Sequence, residues 1–417
     1  MRFIHTSDWH LGQNFYGKNR AAEHQAFFDW LLETIAAKQV ELLVVAGDIY
    51  DTAAPPSYAR SLLNKLVIQL HEVGCQLLLL GGNHDSVAVL NENKNLYKAL
   101  NTSLISQAAN KQDSVNYQQQ VQLMTDKDGQ ASAILVAVPY LRPRDLYTAN
   151  SIDSETDQTN NKLLPAIQQH YQQLYQIALE KQQQIANDIG TKVPIIGTAH
   201  LTIVNAKITD SVRDIYIGSL EAVPIEALPE FDYLAMGHIH QPQVIGKKEQ
   251  IRYSGSPIAM SFDEASQQKS VVLVDTNAEQ TENLHISTLD IPCSQAMRQL
   301  KGDIQQIEDE LAQLAALEQN IWLDIEISSD EYHSDLQQKL LSLTVDSELE
   351  ILRVRRSKKV IQQKLAEKSV SLDELTPLDV FNQRVANLEL TTEQIQDLTQ
   401  LFNQSHQQSL SEENENS

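Results

Sequence analysis

From residue 1 to about 275, short apolar runs of strand length alternate with segments of helical periodicity. The runs fall at residues 2–6, 41–46, 76–80, 134–138, 194–199, 232–236 and 270–275. Several are apolar throughout, as expected of central strands covered on both faces. Between them, Phe27, Leu31 and Ile35 recur at helical spacing, and so do Leu62, Leu63, Leu66, Leu70 and Val73. This alternation predicts a layered α/β domain over residues 1–275.

After residue 284 the pattern changes. It predicts a strand at 284–291, a helix over 294–317, a strand at 321–327, a helix near 331–343 and a strand at 348–355. A βαβαβ unit of this kind makes a small second domain over 284–360. The polar stretch 366–375 reads as a linker. Beyond it, 376–404 carries two short helical patterns, one with Leu378, Phe381 and Val385 along a face, the other with Ile395, Leu398 and Phe402. Helices this short do not sustain themselves in water, so a partner groove is their expected destination. Residues 405–417 form a polar, acidic tail, expected to be disordered. Residues 148–162 read as a loop. The Gln-rich stretch 166–187 reads as a solvated helix.

The 417 residues carry a net charge of −23, which excludes a basic wrapper of nucleic acid but not a nuclease that holds the backbone through bound cations. Cys75 and Cys293 are the only cysteines, so a disulfide framework is excluded and a Cys-rich zinc site is not expected. No run of 18 apolar residues is present to span a membrane. A strand beginning at Arg2 leaves no room for a signal peptide, so a cytoplasmic location is expected.

Chemistry-bearing residues recur at one kind of position. Asp8 and His10 follow the first strand, Asp48 and Asp51 the second, and Asn83, His84 and Asp85 the third. His200 closes the strand at 194–199, while His238 and His240 follow the one at 232–236. These are C-terminal strand ends, where open α/β sheets place their sites. Mixed carboxylate, imidazole and amide donors suit Mn²⁺, Fe²⁺ or Zn²⁺ better than an all-oxygen Ca²⁺ cage. Seven such donors are too many for one ion and suit two that share a carboxylate. Each short pattern alone is weak; their joint occurrence in this order is specific.

Ser7-Asp8-Trp9-His10-Leu11-Gly12, Gly47-Asp48-Ile49-Tyr50-Asp51, Gly82-Asn83-His84-Asp85 and Ser254-Gly255-Ser256-Pro257 together resemble the calcineurin-like metallophosphoesterase superfamily. Within it they look most like the SbcD family, the bacterial nuclease subunits of a double-strand-break-processing complex. The resemblance implies a four-layer α/β metallophosphoesterase sandwich, a small α/β capping domain and a C-terminal helix-loop-helix. It implies that Asp8, His10, Asp48 and His240 hold one divalent ion, and that Asp48, Asn83, His200 and His238 hold another. Mn²⁺ is the expected metal, with Mg²⁺ the alternative. His84 would protonate the leaving oxygen, a role suited to imidazole. Asp51 would align a ligand, and Asp85 would orient His84 or cap the next helix.

The implied activity is an ATP-dependent double-strand DNA exonuclease and single-strand endonuclease that processes ends and hairpins. No G-x-x-x-x-G-K-[ST] loop is present, so ATP dependence would come from an SMC-like coiled-coil ATPase subunit, docked on 376–404. A homodimer through the apolar helices 57–73 and 87–100, within a heterotetramer, is also implied. Arg353, Arg355, Arg356, Lys358 and Lys359 form the strongest basic cluster and are candidate DNA contacts, against the plainer reading of a charged sheet edge. Arg142 and Arg144 follow a strand and read as solvated loop charges, with phosphate contact the alternative, and His5 reads as a core histidine. Two other functions use the same residues: a phosphatase or cyclic-nucleotide phosphodiesterase, and a catalytically silent DNA-end-binding scaffold.

Overall fold

The computed structural model describes residues 1–109, 114–146, 158–212, 222–276, 284–328, 336–356, 398–399 and 401–402. The chain opens with β1 (Arg2–Thr6), β2 (Asn14–Phe15), β3 (Lys18–Asn19), α1 (Ala21–Lys38), β4 (Leu42–Val45), α2 (Ser57–Glu72) and β5 (Gln76–Leu80). Two short helices, α3 (Val87–Asn91) and α4 (Lys94–Ala99), lead to β6 (Thr102–Ile105). Then come α5 (Ser114–Gln119), β7 (Val121–Thr125), β8 (Ala131–Val136), α6 (Pro143–Leu146), α7 (Gln158–Ile189) and β9 (Ile195–His200). Next are β10 (Tyr233–Gly237), β11 (Gln243–Val244), β12 (Ile251–Tyr253), β13 (Ser270–Asp275) and β14 (His285–Asp290). The last elements are β15 (Ala296–Gly302), α8 (Ile304–Ala315), β16 (Ile321–Ile327), α9 (Leu336–Thr344) and β17 (Leu349–Arg356).

Two six-stranded sheets face each other, one ordered β14-β13-β1-β4-β5-β6 and the other β11-β12-β10-β9-β8-β7. Alternation along β4 shows why its run is apolar on both faces. Leu42 and Val44 point between the sheets, against Ile196, Tyr233 and Ala235, whereas Leu43 and Val45 point outward beneath Phe28, Leu31 and Leu66 of α1 and α2. On the far side, Leu163, Ile167, Tyr171 and Leu174 of α7 cover the second sheet. The result is four layers, α/β/β/α. Each large apolar side chain buried this way contributes about 1.5–3 kcal/mol.

The third sheet, β15-β16-β17, is parallel, with α8 and α9 on one face over Leu323 and Ile325. Its other face meets the first body. Trp322 stacks on Phe15 at 5.8 Å, and the Arg20 guanidinium lies 4.8 Å from the Phe15 ring centre.

Several elements differ from the sequence pattern. The strand at 284–291 does not belong to the second unit: it runs antiparallel to β13 in the first sheet. The helix predicted from 294 begins at Ile304, where Asp303 and Gln306 form a reciprocal capping box, and 296–302 is a strand. Met297 and Leu300 imitate a helical i, i+3 pair because they lie on opposite faces of that strand. The helix predicted at 87–100 is two short ones, and α7 starts inside the stretch read as a loop. β6 and β7 escaped the pattern because they are edge strands that mix buried and part-exposed positions, and β12 because it has only three residues. The stripe Leu63, Leu66, Val67 and Leu70 of α2 packs on its own sheet, leaving Ile68, Val73 and Leu96 exposed instead.

Among the described residues, no helix is long and apolar enough to cross a membrane. The linker 366–375 and tail 405–417 lie outside the described residues.

Candidate metal centre

β1, β4, β5, β9 and β10 all end at one edge of the sheet pair, and there the chain turns sharply. Asp8, His10, Asp48 and His238 have φ of 54°, 47°, 50° and 98°, a region L-residues adopt at a cost of about 1–3 kcal/mol each. The turns bring the two sheets' loops very close. A Cβ on Gly47 would stand 2.1 Å from His200 Nδ1, and one on Gly82 2.1 Å from Asp48 Oδ1, so only glycine fits at either place.

Side chains from both sheets converge in the space this opens. Asp8, His10 and His240 bring ligand atoms within 4.8 Å of one another, and so do Asp48, His200 and His238. Asp48 stands between the two groups, its Oδ2 3.7 Å from His10 Nε2 and 3.3 Å from His200 Nε2. Asn83 Oδ1 lies 2.9 Å from His200 Nε2. His84 also comes within 4.8 Å of His10 and Asp48. All seven predicted ligands therefore meet in one place.

The donor set fits two divalent cations. His10 Nε2 and His240 Nε2 face each other at 3.1 Å, an arrangement that needs a proton or a cation between the lone pairs. His238 Nε2 is buried with no hydrogen-bond partner, which costs about 1–3 kcal/mol if left so. Imidazole and carboxylate donors in buried groups of three match borderline divalent ions.

Neighbouring groups set the ring tautomers. His200 Nδ1–H donates to the Ala46 carbonyl at 2.8 Å, which turns Nε2 toward Asp48. His84 Nδ1–H donates to the Asp51 carbonyl at 2.6 Å, while the Asp51 carboxylate lies 3.2 Å from His10 Nδ1. Asp51 thus serves two histidines. Asp85 accepts backbone N–H bonds from Ile49, Tyr50 and Gly82 at 3.0, 2.9 and 2.8 Å, tying the β4 and β5 loops together. Ser86, not Asp85, caps α3.

Burial works against the charge of Asp48, but His200 and His10 outweigh it and hold the carboxyl well below its usual range. Burial pulls His200 down, and Asp48 outweighs that, pushing it up to about 9. Burial and the charge of Asp48 push Asp85 up to about 6 despite its three donors.

The basic residues fare differently. Arg353 makes two 2.7 Å bonds to the buried Asp324, and Arg355 pairs with Glu326 at 2.7 Å, so both charges are already partnered. Arg356 is half-buried at the end of β17; Lys358 and Lys359 lie outside the described residues. Arg142 is no solvated loop charge, because it donates to the carbonyls of Gly82 and Asp85 at 3.3 and 3.0 Å and braces the His84 loop. The side chain of Arg144 is outside the described residues. His5 is the core histidine expected, 2.9 Å from the Tyr233 hydroxyl between the sheets. Leu378, Phe381, Val385 and Ile395 lie outside the described residues, whereas Leu398 and Phe402 fall in short helical segments.

Sequence reasoning passed over Ser211 and Glu264, which meet beside His240. Neither sits at a strand end or in a short pattern, and a sequence separation of 53 leaves no local signal.

Residues 1–242 match the calcineurin-like phosphoesterase family, and residues 293–389 match the family described as type 5 capsule protein repressor C-terminal domain. The SbcD subunit of nuclease SbcCD from Escherichia coli (strain K12) is 45% identical over 409 residues, covering 96% of this chain and 97% of that protein. Its counterpart of the same name from Bacillus subtilis (strain 168) is 31% identical over 278 residues, 66% of each. With a match running nearly end to end and a ligand cluster built for divalent ions, the chain belongs to the SbcD family of metal-dependent nuclease subunits within the calcineurin-like phosphoesterases.

Proposed function

We propose that this chain hydrolyses phosphodiester bonds in DNA as the nuclease subunit of an ATP-dependent double-strand exonuclease and single-strand endonuclease that processes ends and hairpins. The observation that carries the reading is the two ligand groups joined through Asp48 with His84 beside them. Asp8, His10, Asp48 and His240 would hold one ion; Asp48, Asn83, His200 and His238 would hold the other. Two divalent cations supply positive charge to a phosphoryl group and make water easier to deprotonate. Mn²⁺ suits the imidazole-rich donors, with Mg²⁺ the alternative.

The protein's own residues do the rest. Asp48 presents Oδ2 to both ligand groups and accepts the His84 backbone N–H on Oδ1 at 2.9 Å, so one carboxylate registers the ions against the proton donor. His84 keeps Nδ1–H on the Asp51 carbonyl, which leaves Nε2 to carry a proton to the departing oxygen.

The ATPase partner would be the SbcC-type coiled-coil protein, docked on residues 376–404. The name of the relatives, which makes each of them one subunit of a nuclease SbcCD, supports a second component. A homodimer within a heterotetramer is supported by exposed Ile68 on α2, Val73 just past its end and Leu96 on α4. Leu96→Glu is expected to yield a monomer by light scattering, and unchanged mass would place the dimer contact elsewhere.

Linear duplex and hairpin DNA offered to the purified chain, with and without the ATPase and ATP, in Mn²⁺ and in Mg²⁺, tests the function. Cleavage that depends on metal, and on ATP for duplex, is expected. Turnover of small phosphoesters with no cleavage of DNA would overturn it.

A further inference from the structure

His240 is held by a chain of groups that leads away from the metal centre. Its Nδ1 lies 2.6 Å from Ser211 Oγ. Ser211 Oγ in turn bonds Glu264 Oε1, and Thr209 reaches the same oxygen at 3.0 Å. Glu264 is fully buried, its Oε2 taken by Lys269 Nζ at 2.6 Å and the Met260 N–H at 3.0 Å. Lys269 Nζ closes the circuit by donating to the His240 carbonyl at 3.0 Å.

The proton order follows from the ends. A carboxylate paired with an ammonium only accepts, so Ser211 gives its one O–H to Glu264. The Ser211 oxygen is then left to accept, and His240 Nδ1 must carry the hydrogen. That leaves the lone pair on Nε2, the atom facing His10 Nε2 at 3.1 Å. Glu264 Oε1 is itself 3.7 Å from Nδ1, too far to do this without the serine.

We propose that Ser211 and Glu264 are positioning residues for the ion held by Asp8, His10 and His240, fixing the tautomer and ring orientation of His240. This rests on the two-ion reading above. Hydrogen-bond partners of metal-bound histidines typically change affinity by about 10–100-fold when removed.

Mn²⁺ titration of the full-length protein by calorimetry and electron paramagnetic resonance tests it. Wild type is expected to take up two ions. Ser211→Ala, which leaves the Glu264–Lys269 pair intact, and Glu264→Gln are expected to weaken one of them about 10–100-fold. Ser211→Thr restores the hydroxyl and the affinity. In double-mutant cycles the Ser211→Ala effect should be non-additive with Asp8→Asn and additive with His238→Ala. Thermal unfolding in EDTA should be unchanged by Ser211→Ala. Two ions bound by Ser211→Ala with wild-type affinity, or both weakened together with a fall in metal-free stability, would overturn the assignment alone. A wild-type chain that takes up fewer than two ions would overturn the two-ion reading, and the assignment with it.

Discussion

In one candidate ligand group both histidine rings meet side chains; in the other, the His200 ring meets main chain. His10 has the Asp51 carboxylate at 3.2 Å, and His240 has the Ser211 hydroxyl at 2.6 Å. The His200 ring donates instead to the Ala46 carbonyl at 2.8 Å. The difference follows from position. His200 is the last residue of a central strand, with β4 of the opposite sheet directly across from it. His10 and His240 lie beyond their strands in loops, and the far nitrogen of each meets a side chain. A main-chain contact survives almost any substitution, whereas a side-chain contact can be tuned by one. The first group is therefore the adjustable half of the centre.

Asp48 belongs to both halves, so Asp48→Asn is expected to have the largest effect. Mn²⁺ affinity at both sites should fall and turnover drop to background, because the replacement lacks the charge that holds two cations close. Two ions bound at wild-type strength would show that Asp48 does not join the halves. His84→Ala should come next, cutting turnover about 10²–10⁴-fold while both ions and DNA affinity are kept. Loss of an ion in this variant would make His84 a ligand and redraw the boundary between the groups.

Asp51→Ala sharpens the comparison directly. It removes the carboxylate near His10 and keeps the carbonyl that holds His84, so one ion should weaken about 10–100-fold and the other stay. Equal weakening of both would erase the asymmetry between side-chain and main-chain support.

The smallest effect is expected from His5, outside both halves. Burial between the sheets pulls it down to about 3, while an unfolded histidine titrates near 6.5. The unfolded chain therefore binds more protons between those values. This contribution is complete above about pH 6.5 and is lost as pH falls toward 3. His5→Leu should flatten the urea-midpoint curve of metal-free protein across that window. An unchanged slope would mean that His5 is protonated in the fold.

The seven candidate ligands could be read from the chain because each follows or closes a short apolar run, and a strand end is a local event. Strand periodicity also marked the central strands of both sheets. What the pattern misjudged were elements whose identity depends on a neighbour. His285–Asp290 is polar and half-exposed, and only β13 beside it makes it a strand of the first sheet. Ala296–Gly302 carries two apolar residues three apart, a spacing common to a helix face and to the two faces of a strand, and packing on both sides decided between them.

The amino-acid sequence by itself determined the alternating α/β order, the strand ends that carry the candidate ligands and the glycines that let those ends approach. Tertiary structure alone decided which ligands share a group, since that depends on how two sheets oppose one another. It also decided that Arg353 meets Asp324 instead of solvent, and that Glu264 reaches His240 through Ser211. Those contacts join residues 29 or more positions apart, and their energy depends on a burial that exists only once the layers have closed.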